Sequence, residues 1–394
     1  MRIGLNLLHA RPQIGGGWNY IANVVKALRF VDEECEFIAY CTPASAEMVP
    51  DNPRFRTKMV RGISVSQVAR VAYEQSILPT LAKSDGLDCV HWFANNRSVL
   101  DTVPAVVTVH DFKFIDRPSE EAWVKELYLR RMARFACRRA NSLIAVSNAT
   151  AKAASRLFGV DEQKIFVIPN PIEDTFRPEP EQSVKQFCDR LKLPTEFWVY
   201  VAHPYAHKNH AKLFRAYKKF KESSQSGWAL VLRGDSANGN AELDALAIEL
   251  GIADSIRWLP RLSTEDMARL YSASSAMIFP SLYEGGGIPV LEAMACGCPV
   301  VASNIDTTRE FAGDAALTFD PTDVDAIAAT MLRFVSDRRL RESCVRRGLI
   351  KATKYSANHI AGRLLSAYRN AISRQLAPEQ DKLCSGSVVR GTSR

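Results

Sequence analysis

Two glutamates, a lysine and a histidine carry the chemistry this sequence offers, and the glutamates flank a run of glycine. Glu284 and Glu292 stand eight positions apart, on either side of Gly285-Gly286-Gly287-Ile288-Pro289. Glycine has no Cβ, so Gly285, Gly286 and Gly287 let the backbone take positive φ and come close to a bulky ligand. The stretch from Met277 to Ser303 reads as a short apolar strand, a loop and a helix. Pro289 suits the first helical position, where its missing N–H would be unpaired anyway, and Gly297 suits the left-handed position that ends the helix. The N–H groups of a first helical turn, reinforced by the helix dipole, favour an anion, and a phosphate is the natural guest. Carboxylates repel a phosphate, so both glutamates must point past it and accept hydrogen bonds from hydroxyl groups on either side. A ligand with hydroxyls at both ends and phosphate between them is a sugar nucleotide. Taken singly, Glu284 reads as well as a solvated loop charge and Glu292 as a helix-dipole partner. Their combination with the glycines and Pro289 favours the ligand.

The lysine lies in His203-Pro204-Tyr205-Ala206-His207-Lys208-Asn209-His210, directly after the apolar strand Phe197–Val201 and before a helix. At the end of a strand and the mouth of a helix, Lys208 can reach a diphosphate as a point charge. Asn209 suits the cap of that helix. The clustered histidines raise a metal site as an option, but Pro204 bars a regular helix through the first of them, and no metal is expected. The histidine of interest, His110, opens His110-Asp111-Phe112 after the strand Ala105–Val109. Such a residue is more often a structural hydrogen-bonder than a catalyst, and the pattern alone does not decide. A further glycine loop, Ile14-Gly15-Gly16-Gly17, feeds a helix after the first strand and could take an anion.

All these residues follow strands, which is where ligands of doubly wound sheets bind. The elements that position them alternate strand and helix, as an α/β chain requires. In the first half, strands are expected at 2–8, 36–41, 89–92, 105–109, 142–146 and 165–168, with helices at 15–30, 69–83, 119–140 and 149–158. The prolines of IFVIPNPIEDTFRP, from Ile165, mark an ordered passage to a second domain. There, strands at 197–201, 229–232, 256–259 and 277–279 alternate with helices at 241–250, 264–273 and 324–335. A last helix spans 359–376.

The run EGGGIPVLEAMACGCPVVASNI resembles the signature of the retaining glycosyltransferases of the GT-B fold, the family that includes sucrose synthases and lipopolysaccharide mannosyltransferases. The likeness spans Arg2 to Leu376 and is strongest over Asp161–Asp320. It implies two Rossmann-like domains facing across a cleft, at 1–175 and 176–357. It also implies a crossover helix at 358–376 that returns to the first domain; beyond it the sequence loses periodicity, and a disordered tail is expected at 377–394. By the same resemblance, Glu284 contacts the donor sugar, Glu292 the ribose, and the loop with Gly285, Gly286, Gly287 and Ile288 the diphosphate. Lys208 neutralises the diphosphate beside Asn209, His110 sits at the reaction centre with Asp111 close by, and Gly16 and Gly17 belong to a loop that closes over the donor. Arg261 and Leu262 face the nucleobase. The chain departs from the family pattern in having Gly286 where an aromatic residue is usual, Trp18 and Asn19 in the first glycine loop, and His203 where many relatives carry an arginine.

The family offers no well-placed carboxylate nucleophile, so the resemblance implies a front-face reaction without metal or cofactor, the nucleotide sugar being a co-substrate. GDP-mannose is the donor of first choice, and the acceptor is a glycan or lipid-linked glycan in polysaccharide or lipopolysaccharide synthesis. A sugar-nucleotide epimerase, a phosphorylase or a non-catalytic scaffold subunit on the same fold are the alternatives. A phosphorylase of the known type needs a lysine for pyridoxal phosphate, and the retained Glu284, Glu292, Lys208 and His110 speak against a scaffold.

Composition is compatible with this. The 394 residues exceed what one core serves, and 47% hydrophobic with 24% charged residues is ordinary for a globular protein. The nine cysteines show no metal spacing and no disulfide framework, which places the chain in the cytoplasm. The net charge of +8 is concentrated in part in YLRRMARFACRRA, residues 128–140, where five arginines share one broad helical face. That face could lie peripherally on the anionic inner face of a membrane, or be a solvated face over a stripe of Leu129, Met132, Phe135 and Ala136. No nucleic-acid module is present, and nucleic acid is not an expected partner.

Overall fold

The computed structural model describes residues 1–394 apart from 11–14, 32–33, 63–65, 113–122, 225, 235–240 and 386–394. The chain divides into two compact units, Met1–Pro171 with Ala357–Arg394, and Ile172–Ser356. In the second unit the segment that enters and the turn that leaves are tied together, the Ile172 N–H donating to the Tyr355 carbonyl at 2.8 Å.

Among the described residues the first unit is built on seven strands, β1 (Arg2–Asn6), β2 (Glu36–Cys41), β3 (Phe55–Met59), β4 (Cys89–Trp92), β5 (Ala105–Val109), β6 (Ser142–Ala145) and β7 (Ile165–Val167). Their order is β3-β2-β1-β4-β5-β6-β7, and all pairs are parallel. A strand covered on both faces needs no polar alternation, and β5, Ala-Val-Val-Thr-Val, is buried along its whole length. β3 is absent from the sequence-based expectation because it is an edge. Its Arg56, Thr57, Lys58 and Met59 are exposed, so it lacks an apolar face to betray it, and its charge protects the edge.

The closing helix, Ala357–Ser385, packs Ile360, Leu364 and Tyr368 into the same core as Ile3, Leu5 and Val24. Tyr368 Oη lies 2.9 Å from His91 Nδ1, and His91 Nε2 lies 2.8 Å from Thr108 Oγ1. Burial pushes the His91 pKa down to about 3, so this buried imidazole is neutral. The helix runs past Leu376 to Ser385, where the sequence suggests a disordered tail from 377. Loss of apolar periodicity there removes a core partner but not helix propensity, since Glu379, Gln380, Lys382 and Leu383 are good helix formers. Residues 386–394 lie outside the described residues.

The arginine-rich helix is Trp123–Arg139, and residues 119–122 of its expected span also lie outside the described residues. Its deeply buried side is made of small residues, Ala133, Ala136 and Cys137. Leu129, Met132 and Phe135 are only half-buried, while Arg131, Arg134, Arg138 and Arg139 are exposed and Arg130 pairs with Glu126 at 2.6 Å. No helix among the described residues is long and apolar enough to cross a membrane.

The second unit has, among the described residues, six strands, β8 (Phe197–Val201), β9 (Ala229–Arg233), β10 (Ile256–Leu259), β11 (Ala276–Phe279), β12 (Val300–Ser303) and β13 (Ala316–Phe319). They are all parallel, in the order β10-β9-β8-β11-β12-β13. The order reverses between β8 and β11, which makes the crevice beyond their carboxyl ends the natural ligand site. β13, a second half-exposed edge strand, falls where the sequence shows only a helix-poor stretch.

Candidate active site

The chain leaving β8 makes one tight turn, Ala206–Lys208, and enters the helix His210–Ser223. The chain leaving β11 forms the loop 280–287 and enters the helix Ile288–Ala295. Local hydrogen bonds join the two segments. The Leu282 N–H donates to the His207 carbonyl at 2.8 Å, and the Tyr200 hydroxyl donates to the Lys208 carbonyl at 2.7 Å. Asn209 Nδ2 donates to the carbonyls of Pro280 and Pro321, at 3.1 and 2.8 Å. Asn209 does occupy the cap position, with φ 62°, but its side chain makes no capping bond. It ties the two loops together instead.

This scaffold brings Lys208 to Glu284, with Nζ and Oε1 2.6 Å apart and the side chains 18% and 10% exposed. Thr307 Oγ1 donates to the Glu284 carbonyl at 2.7 Å and fixes the loop from below. Of the three glycines only Gly287 takes positive φ, 54°. A Cβ there would also lie 3.1 Å from Phe311 Cδ2. Gly287 is the helix cap, so Ile288 is the first helical residue and Pro289 the second, one position later than expected. Gly297 ends the segment with φ 76°, as its position suggests.

The helix thus begins one residue earlier than expected, and Glu292 is its fifth residue, beyond the first turn. It is buried and accepts a hydrogen bond from the Tyr271 hydroxyl at 3.1 Å. Burial pushes its carboxyl up to about 8; the Tyr271 hydrogen bond opposes this, the charge of Glu173 adds to it, and that of Arg233 opposes it. At neutral pH this carboxyl is mostly protonated, so it can donate to a hydroxyl as well as accept.

The remaining expected donor contacts spread around the same sheet end. His203 and His207 both lie near the Tyr205 ring, at centroid distances of 5.9 and 5.8 Å. His210 is buried against Tyr200 and Trp258, and burial pushes it down to about 4. Among the described residues no group of three or more His, Cys, Asp or Glu could hold a metal ion. Beyond β10, Arg261 is exposed and Leu262 packs partly against the core.

In the first unit His110 follows β5. Its Nε2 lies 2.8 Å from the Phe93 carbonyl. A carbonyl only accepts, so Nε2 carries the proton and Nδ1 is the acceptor of the neutral ring. Burial lowers its pKa, and the edge of the ring meets Tyr20 at 4.7 Å. Asn95 holds the backbone on both sides, Oδ1 accepting from the His110 N–H at 3.2 Å and Nδ2 donating to the Asp111 carbonyl at 2.7 Å. Thr150 Oγ1 donates to the His110 carbonyl at 3.3 Å. Gly16 and Gly17 open the helix Gly15–Ala27, and Ile14 lies outside the described residues. Sequence inspection does not single out Tyr200, Tyr271, Thr307, Asn95 or Thr150. Only Asn95 left a signal, since it too comes shortly after a strand, three residues past Trp92.

Two Rossmann-like domains with parallel sheets, and a glycine loop beside a lysine–glutamate pair at a switch point, define a glycosyltransferase of the GT-B fold. The chain belongs to the glycosyl transferases group 1, whose family model matches residues 186–350, and residues 14–176 match that of Glycosyltransferase Family 4. It is 30% identical over 267 residues to the O-antigen chain mannosyltransferase B of Escherichia coli, across 67% of this chain and 70% of that one. The sucrose-phosphate synthase of Thermosynechococcus elongatus superposes with a TM-score of 0.75 at 19% identity, covering 95% of this chain and 99% of that one. Anabaena HepE in complex with UDP and glucose gives 0.73 at 18% identity, covering 93% and 98%. At such identities these structures speak for the fold alone.

Proposed function

We propose that this protein is a retaining, metal-independent mannosyltransferase. It moves mannose from a nucleoside diphosphate sugar, GDP-mannose first among candidates, to a glycan or lipid-linked acceptor of the O-antigen kind. The observation that carries the reading is the Lys208–Glu284 pair at the mouth of the glycine loop. In this reading the lysine is the cation that a leaving diphosphate needs and the carboxylate the group that grips a sugar hydroxyl. The similarity to an O-antigen chain mannosyltransferase supports mannose and the acceptor class.

In the proposed reaction the bond from the anomeric carbon to the diphosphate oxygen breaks. The acceptor hydroxyl forms the new bond on the same face, and its proton passes to the departing diphosphate. Lys208 and the amino end of the helix Ile288–Ala295 stabilise the charge that develops on that diphosphate. Glu284 orients the sugar, Glu292 bonds a ribose hydroxyl, and His110 bonds the sugar through Nδ1. The work is done in the cytoplasm, with the exposed arginines of Trp123–Arg139 resting on an anionic membrane face.

The test is a panel of GDP-mannose, GDP-fucose and the common UDP- and dTDP-sugars, followed by calorimetry and by release of the nucleoside diphosphate, without added metal. One donor bound and slowly hydrolysed with its anomeric configuration kept supports the reading and names the donor. Binding of none of them overturns it.

A further inference from the structure

A cavity of about 340 Å³ opens in the first unit, lined among others by Arg97, Val99, Asp101, Val103, Phe135 and Arg139. Val103 precedes β5 and Arg139 precedes β6, so the cavity lies at the amino ends of these strands. His110 follows the other end of β5. The donor chemistry described above does not use this place.

Its polar side is unbalanced. The one carboxylate, Asp101, accepts from Arg97 Nε at 3.2 Å, and the nearly buried Arg97 also donates through one terminal nitrogen to the Arg139 carbonyl. Among the described residues no hydrogen bond engages the other terminal nitrogen of Arg97, and none engages the exposed guanidinium of Arg139. Further cations crowd the same strand ends. Burial lowers the pKa of Lys164, the charges of Arg374 and Arg97 lower it further, and those of Asp161, which pairs with Arg374 at 3.1 Å, and of Cys137 oppose this. Burial likewise lowers that of Arg97, with Asp101 opposing and Arg139 adding. Val99, Val103 and Phe135 supply an apolar wall, and the volume suits a small molecule.

We propose that this cavity binds a small organic phosphate, its phosphate between the guanidinium groups of Arg97 and Arg139 and its apolar body against Val99, Val103 and Phe135. Guanidinium forks match phosphate oxygens in geometry as well as charge. Such a phosphate could come from a soluble ester or from a lipid headgroup.

The experiment is calorimetric titration of the full chain with phenyl phosphate, with benzoate as a second probe, comparing wild type with Arg139→Ala and Lys208→Ala. Circular dichroism verifies that the variants fold. The expected result is one-to-one binding of phenyl phosphate, weakened about tenfold or more in Arg139→Ala, as loss of a charge-assisted contact predicts. Lys208→Ala should leave it unchanged, which separates this site from the donor site and makes the result independent of the proposed activity. Flotation with phosphatidylglycerol vesicles then distinguishes the sources: a loss in Arg139→Ala that Arg131→Ala, on the same helix but outside the cavity, does not share assigns the phosphate to a lipid, and no such loss assigns it to a soluble ester. The proposal is overturned by absence of phenyl phosphate binding, by binding that depends on Lys208 and not on Arg139, or by benzoate binding as tightly.

Discussion

Lys208 Nζ and Glu284 Oε1 stand 2.6 Å apart, each the counter-ion of the other before any donor arrives. Both side chains are largely withdrawn from water, so the pair holds its geometry better than a surface ion pair would. In the proposed reaction an incoming diphosphate would compete for the ammonium and free the carboxylate for the sugar. Lys208→Ala or Glu284→Gln should each lower kcat/KM by roughly tenfold to a hundredfold, the worth of one charge-assisted hydrogen bond. Because both act through one contact, the double variant should lose less than the product of the two single losses. Steady-state kinetics on the three variants decide this, and strictly multiplicative losses would show that the two residues act separately.

The buried Glu292 gives stability a pH dependence of definite sign. Its folded pKa, raised from 4.5 to about 8 chiefly by burial, means that the folded state holds a proton the unfolded chain releases. The contribution is complete below pH 4.5 and fades as pH rises through 8, at a slope of at most about 1.4 kcal/mol per pH unit. Urea unfolding between pH 5 and 9 should therefore show wild type losing stability relative to Glu292→Gln as pH rises. A parallel pair of curves would mean that Glu292 is ionised in the folded protein.

The parts of this site legible in the sequence are those whose chemistry is local. Gly297 betrays itself because few other residues tolerate its backbone angles, His110 because it directly follows a strand of unmistakable apolar character, and Lys208 because it stands between such a strand and a helix. The helix register slipped by one because the left-handed cap falls on Gly287, a choice among three glycines that nothing local dictates. Long-range partners left no trace at all: Tyr271 and Glu292 meet only because two helices pack together. The edge strands β3 and β13 and the helix Arg338–Ala352 share another cause. They bury little, the helix only Cys344, Gly348 and Ala352, so no apolar period marks them.

Gly287 should be intolerant of any side chain. Gly287→Ala puts a Cβ on a residue with φ 54°, and that atom would lie 3.1 Å from Phe311 Cδ2. The left-handed backbone alone costs roughly 1–2 kcal/mol for an L-residue. The expected outcome is a loss of stability of that size in urea titration, with weaker binding of the nucleoside diphosphate, since the helix start moves with its cap. Unchanged stability would mean that the loop takes up a different backbone at no cost.

Asn95 should matter to rate more than to folding. Its side chain grips the backbone on both sides of the His110 ring, at 3.2 Å to the His110 N–H and 2.7 Å to the Asp111 carbonyl, and touches the imidazole itself at neither point. Asn95→Ala leaves the histidine, its proton on Nε2 and its Phe93 partner in place, but frees the loop that aims Nδ1. Misplacement of a positioned group by about 1 Å can cost on the order of a hundredfold in rate. A fall in kcat is therefore expected in Asn95→Ala, with KM for the donor little changed, and His110→Ala should show the same pattern at least as strongly. The two losses should not add in the double variant, because Asn95 has nothing to aim once the imidazole is gone. If Asn95→Ala raises KM and leaves kcat intact, the loop serves donor binding and His110 has no part in the transition state.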